Sequence, residues 1–162
     1  MKILIGLGNP GEKYKYNRHN VGQMFVDWLN QSDKEIKKEL RLFKSDSFMN
    51  QSGGFVVQKL AYFKIKVDEL GVAHDELDIR LGEYKIQLGV GPKVHYGINS
   101  IEAALGSEGF WRIRIGVDNR DLEKRTPGES YVLEDFNSEE KTVLNEVFLR
   151  IAAELAKPPA KV

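Results

Sequence analysis

Cysteine is absent from the 162 residues, which excludes disulfides, zinc–thiolate sites and a thiol nucleophile. A chain without cysteine suits a reducing compartment, so a cytoplasmic location is the expectation. An excess of one charge is also missing. Lysine and arginine total 24, aspartate and glutamate total 24, and the formal net charge is zero. Bulk charge therefore announces no nucleic-acid partner, and any electropositive surface has to come from local clustering. No apolar run approaches the ~20 residues that a membrane helix needs. The apolar start, Met1 to Leu7, is too short for a signal peptide. No internal repeat is visible. The length fits one domain, expected over residues 1–156 and followed by a short tail, 157–162.

What is present is a rhythm of short apolar runs and amphipathic stretches. Lys2 to Leu7 reads as a buried strand ending in the tight-turn sequence Gly8-Asn9-Pro10-Gly11. Val21, Met24, Phe25, Trp28 and Leu29 then fall at helical spacing. Leu40 to Phe43 suggests a second strand, and Val56 to Lys64 a helix after Gly53-Gly54. Leu70 to Ala73 reads as a strand with His74-Asp75 at its end, and Tyr84 to Leu88 as another. Ile113, Ile115 and Val117 alternate with Arg112, Arg114 and Gly116, the pattern of a half-buried strand. Asn99 with Glu102, and Asn137 with Glu140, are candidate capping boxes. The second opens the clearest helix, with Val143, Leu144, Val147, Phe148, Ile151, Ala152 and Leu155 on one face. Strands interspersed with helices predict a single three-layer α/β/α domain with a mixed, mostly parallel sheet. Ligands bind such sheets at the carboxyl ends of strands, where Asn9 and His74-Asp75 would lie.

Three segments carry residues capable of chemistry: Gly6 to Gly22, Phe48 to Gly53 and Ala73 to Asp78. The first includes Gly6-x-Gly8-x-x-Gly11, which alone looks like a dinucleotide fingerprint. Pro10 stiffens that loop, and the following helix starts too late to set its N-terminus on a pyrophosphate. The nucleotide reading is therefore rejected. His19, His74 and His95 show no His-x-His or His-x-x-x-His spacing, so neither a metal nor a cofactor is expected.

Read in order, Gly6-Leu7-Gly8-Asn9-Pro10-Gly11 with Tyr14, then Arg18-His19-Asn20-x-Gly22, Phe48-Met49-Asn50-x-Ser52-Gly53 and His74-Asp75-Glu76-Leu77-Asp78 resemble bacterial peptidyl-tRNA hydrolases. Phe110 to Val117 and Tyr131-Val132-Leu133 look like the later half of that family. The resemblance spans nearly the whole chain, and the order of four motifs is far more specific than any one of them. It implies a metal-free enzyme, expected to be a monomer, that hydrolyses the ester between a peptide and the ribose of tRNA.

The resemblance assigns His19 as the base that takes a proton from water, Asp75 as the carboxylate that orients it, and Asn9 as a third catalytic group. An imidazole titrates near pH 6.5, so its neutral form can act as a base at neutral pH. The resemblance gives Tyr14, Phe48, Asn50 and Tyr96 to substrate binding. Arg112, Arg114, Lys124 and Arg125 are the candidate rim for the phosphates of the acceptor stem, with Lys13, Lys15 and Arg18 near the catalytic motif. The match departs in the loop 89–97, where Tyr96 stands at an asparagine position of the family and Val94 at a glycine. It departs again at 30–40, where the family has a longer segment with a strand hairpin whose loss would bare a sheet edge. Two other functions fit part of the pattern. One is an RNA-binding relative without turnover, suggested by Tyr96; the other is a hydrolase of some other small ester.

Overall fold

Ile3, Leu4 and Ile5 are fully shielded from solvent, which makes β1 (Ile3–Gly6) an interior strand. The computed structural model describes residues 1–157, so the expected tail lies, from residue 158 on, outside the described residues. Around β1 stand β2 (Arg41–Lys44), β3 (Leu70–Arg80), β4 (Tyr84–Leu88) and β5 (Trp111–Asp118). The sheet order is β2-β1-β3-β5-β4. β1 pairs in parallel with β2 and β3, β3 in parallel with β5, and only β4 runs antiparallel, against β5. The mixed, mostly parallel sheet is as expected.

Helices cover both faces. α1 (Val21–Ser32) and α6 (Ser138–Leu155) pack on one, α3 (Ser52–Phe63) and α4 (Tyr96–Leu105) on the other. Leu4 joins Phe25, Leu29, Ile113, Ile115, Leu144 and Phe148 on the first face. Ile3 and Ile5 join Phe55, Val56, Leu60, Ile98 and Ile101 on the second. The split follows from strand geometry, which sends successive side chains to opposite faces. One-turn helices α2 (Ile36–Glu39) and α5 (Gly128–Tyr131) complete the fold.

Four differences from the sequence reading have physical causes. β3 does not stop at Ala73 but runs on to Arg80, because β5 continues to pair with it after β1 has ended at the Gly6–Ala73 pair. Asp75 therefore sits on a continuing strand, just past the carboxyl end of β1. β5 is not half-buried: it lies inside the sheet, and its alternating arginines are buried along with its isoleucines. Asn99 does not cap α4, which starts three residues earlier with His95 as N-cap; its ring accepts a hydrogen bond from the Ile98 amide. Lys64 lies beyond α3 as its left-handed C-cap. The second capping box holds: the Asn137 side chain accepts from the Glu140 amide and the Glu140 carboxylate accepts from the Asn137 amide. In the 30–40 stretch the chain forms the last turn of α1 and the one-turn α2, with no strand, and β2 is left as an edge strand with exposed Arg41 and Lys44 at its ends. Charged side chains of this kind discourage pairing with another chain.

Candidate active site

Two glycines set the geometry. A Cβ on Gly22 would run into the Ala73 carbonyl, and one on Gly6 into the Gly22 carbonyl. Their absence lets the start of α1 lie directly on β1 and β3. His19 occupies the 3-10 turn Arg18–Asn20 immediately before α1, so this approach brings it to Asp75, two residues beyond Ala73. His19 Nδ1 lies 3.0 and 2.9 Å from the two Asp75 oxygens. His95, at the head of α4, reaches the same carboxylate, with Nε2 2.8 Å from Oδ1 and its ring centroid 5.1 Å from that of His19.

Asp75 is buried at 4% exposure, yet its pKa is held well below the ordinary carboxylate range. Burial pushes it up, and the two imidazoles more than reverse that by charge and hydrogen bonding. An ionised carboxylate only accepts, so His19 Nδ1 carries the hydrogen and Nε2 is left as a free base. Among the described residues Nε2 has no hydrogen-bond partner. The His19 pKa is raised from 6.5: burial lowers it, while the charge and hydrogen bond of Asp75 outweigh the burial. His95 accepts from the Ile98 amide through Nδ1, so its Nε2 bears the hydrogen given to Asp75.

Asn9 is oriented by its neighbours. Asn20 clamps the Asn9 backbone on both sides, accepting from its amide at 2.9 Å and donating to its carbonyl at 3.0 Å. The Asn9 Oδ1 accepts from the Met49 amide at 2.8 Å. The Nδ2 hydrogens of Asn9 are thereby turned toward the cleft as donors.

These groups lie in a cleft of about 820 Å³ lined by Asn9, His19, Asp75 and His95 on its polar side and by Phe48, Met49, Val94, Tyr96, Val132 and Leu133 among its apolar walls. Of the residues expected to touch substrate, Phe48, Asn50 and Tyr96 line it. Tyr14 does not; it lies in the 3-10 turn Glu12–Tyr14 outside the lining. Val94 keeps out of the left-handed region, where Lys64 is the one non-glycine among the described residues.

The arginine rim is corrected. Arg112 is 1% exposed and spends its guanidinium on Glu102 and on the carbonyls of Gly91, Glu108 and Phe110. Arg114 is bound to Glu76 and Gln87. Arg112 cannot meet a phosphate without breaking buried bonds, and Arg114 is held by its two partners with little of its surface open. Arg18 is likewise buried, paired with Glu140 and stacked 3.9 Å from the Tyr131 ring. Lys13, Lys15, Lys124 and Arg125 are the exposed cations of the group, Arg125 bound to Asp118 at 3.0 Å.

Sequence reasoning missed the role of His95, because its partner lies 20 residues away and no local spacing joins them. For the same reason it missed a donor set: ligand atoms of His19, Asp75 and His95 all lie within 4.8 Å of one another. A divalent ion could be held there only if the imidazoles gave up their hydrogen bonds to Asp75.

A histidine nitrogen left free because its ring partner is held by a buried carboxylate, in an open cleft also lined by Asn9, is an arrangement able to activate water for hydrolysis. The sequence model of the peptidyl-tRNA hydrolase family matches residues 3–158. The peptidyl-tRNA hydrolase of Mycoplasmopsis synoviae is 36% identical over 165 residues, covering 94% of this chain and 86% of that protein. That of Neisseria meningitidis serogroup C is 39% identical over 136 residues, 74% of this chain and 71% of that one. A crystal structure of the Acinetobacter baumannii peptidyl-tRNA hydrolase superposes with a TM-score of 0.81 at 27% identity, over 96% of this chain and 86% of that chain. The chain belongs to the peptidyl-tRNA hydrolase family.

Proposed function

We propose that the protein hydrolyses peptidyl-tRNA with His19 as general base, Asp75 as the carboxylate that fixes its tautomer, and Asn9 as a donor to the oxygen that gains charge. Water bound at His19 Nε2 loses a proton as its oxygen attacks the ester carbonyl. The imidazolium that forms is stabilised by Asp75. The Asn9 amide is placed to hydrogen-bond the developing oxyanion. Collapse of the intermediate expels the ribose oxygen, which takes the proton back from His19 and leaves tRNA and a free peptide. Asn50 and the apolar walls hold the peptide, and Lys124, with Lys13 and Lys15, meets phosphates at the rim. The reaction uses no metal, and the enzyme works as a cytoplasmic monomer; no helix among the described residues is long and apolar enough to cross a membrane.

The observation that carries this reading is the contact of 2.9 Å between His19 and Asp75, which leaves Nε2 free in the cleft. It favours turnover over a binding-only relative, since a binding surface has no use for an oriented base. Release of tRNA from an N-acetylated aminoacyl-tRNA tests it. Wild type is expected to exceed His19→Ala by about two to four orders of magnitude. Equal, slow release by both would refute it, and faster cleavage of simple nitrophenyl esters would favour another small ester.

A further inference from the structure

The walls of the cleft are chemically divided. Phe48, Val94, Tyr96 and Leu133 line it and are 52%, 76%, 60% and 51% exposed, so four large apolar side chains open to solvent meet at this one mouth. Elsewhere the lining carries the exposed carboxylates of Asp78 and Glu129. Lys93 is the one Lys or Arg side chain in the lining.

Tyr96 is not there by accident of a loose loop. It is the first residue of α4, fixed by the His95 cap whose ring is itself bound to Asp75. Its neighbour Gly97 packs so closely on Met49 and Leu7 that a Cβ would collide with both. This contact sets the head of α4 against the 3-10 turn Met49–Gln51, which bears Asn50 and follows Phe48. The backbone at Tyr96 is therefore fixed, and its exposed ring lines the same cleft as the carboxamides of Asn50 and Asn9. Carboxamides suit the donor and acceptor of a peptide backbone. An apolar ring in the same cleft suits what branches from that backbone, a side chain.

We propose that Tyr96, with Phe48 and Val94, selects a large apolar side chain on the amino acid in ester linkage to the tRNA. This deepens the peptidyl-tRNA reading of the cleft and rests on it. Each methylene taken out of water at such a surface is worth about fourfold in binding. The exposed carboxylates of Asp78 and Glu129 act against an acidic side chain in the same cleft, by like-charge repulsion that solvent and salt screen in part.

The test uses one tRNA body carrying acetylphenylalanine, acetylleucine, acetylglycine or acetylaspartate in turn, with kcat/KM measured for each. Phenylalanine and leucine are expected to exceed glycine by about tenfold, with aspartate slowest. Tyr96→Asn is expected to bring the phenylalanine-to-glycine ratio within about threefold, mainly through KM, and Tyr96→Phe to preserve it. Hydrolysis at equal rates for all four would overturn the proposal while leaving the peptidyl-tRNA reading intact. A uniform loss on all four in Tyr96→Asn would also overturn it, by assigning the ring to the nucleotide end. No hydrolysis of any of them by the folded protein would overturn both.

Discussion

At the scale of single residues the site is a set of orientations imposed by neighbours. Asn9 is the clearest case: with its Oδ1 taken by the Met49 amide, only its donor faces the cleft. Asn9→Ala is expected to lower kcat by about 10²–10³ and to change KM much less, because a donor to an oxyanion acts in the transition state. Steady-state kinetics on acetyl-aminoacyl-tRNA checks this; a rise in KM with unchanged kcat would assign Asn9 to binding alone. His19, Asp75, Asn9, Asn50 and Phe48 could be found in the sequence because each lies inside a short motif. His95 could not, since its meeting with Asp75 exists only after α4 docks against β3. Arg112 and Arg114 were legible as residues on one face of a strand. The cover over that face was not legible, because β4, Glu102 and the loop around Gly91 come from distant segments.

At the scale of elements, the turn bearing His19 is fastened to the segment that joins α5 to α6. The Arg18 amide donates to the Glu134 carbonyl and the His19 amide to the Val132 carbonyl. Arg18 adds two bonds to Glu140, at 3.0 and 3.2 Å, in the first turn of α6. Val132 and Leu133 line the cleft, so base and wall move together. Arg18→Met leaves Glu140 buried without its partner and is expected to cost about 3–5 kcal/mol in urea unfolding. The double variant Arg18→Met/Glu140→Met is expected to recover much of that; a double variant as unstable as the single one would show that the pair is not the reason. The sequence exposed Glu140 as a capping residue and concealed its second role, because its partner Arg18 lies 122 positions away. The helices α1, α3 and α6 were legible from periodicity. The extent of β3 was set by β5 and so lay outside any local pattern.

At the scale of the molecule, the sheet brings three histidines to Asp75, His19 and His95 to its carboxylate and His74 to its main-chain carbonyl, and the burial of His74 and His19 makes folding depend on pH. His74 is fully shielded, and burial first, then the nearby His95, depresses its pKa from 6.5 to about 3. Its folded value lies below its unfolded one, so its contribution is present above pH 6.5 and is lost as pH falls toward 3. At pH 5 this loss is about 2 kcal/mol. His19 has the opposite sign: its raised value adds stability below pH 6.5 that disappears as pH rises through the folded value. Asp75 contributes only above its unfolded value of 3.8, and loses that contribution on further acidification, so it does not change between pH 7 and 5. His74→Asn is expected to shrink the fall in urea stability between pH 7 and pH 5 by about 2 kcal/mol. Equal falls in wild type and variant would contradict this.

Catalysis as proposed depends on Asp75 holding His19 as a base with a raised pKa. The pH dependence of kcat/KM for wild type and Asp75→Asn measures that directly, because it reports the free enzyme. Activity should rise with pH through a midpoint above 6.5 in wild type, since the base must lose its proton. In Asp75→Asn the burial of His19 is unopposed, so the midpoint should move down and the plateau should fall by about two to four orders of magnitude. An acid limb at the same pH in both proteins would contradict the account.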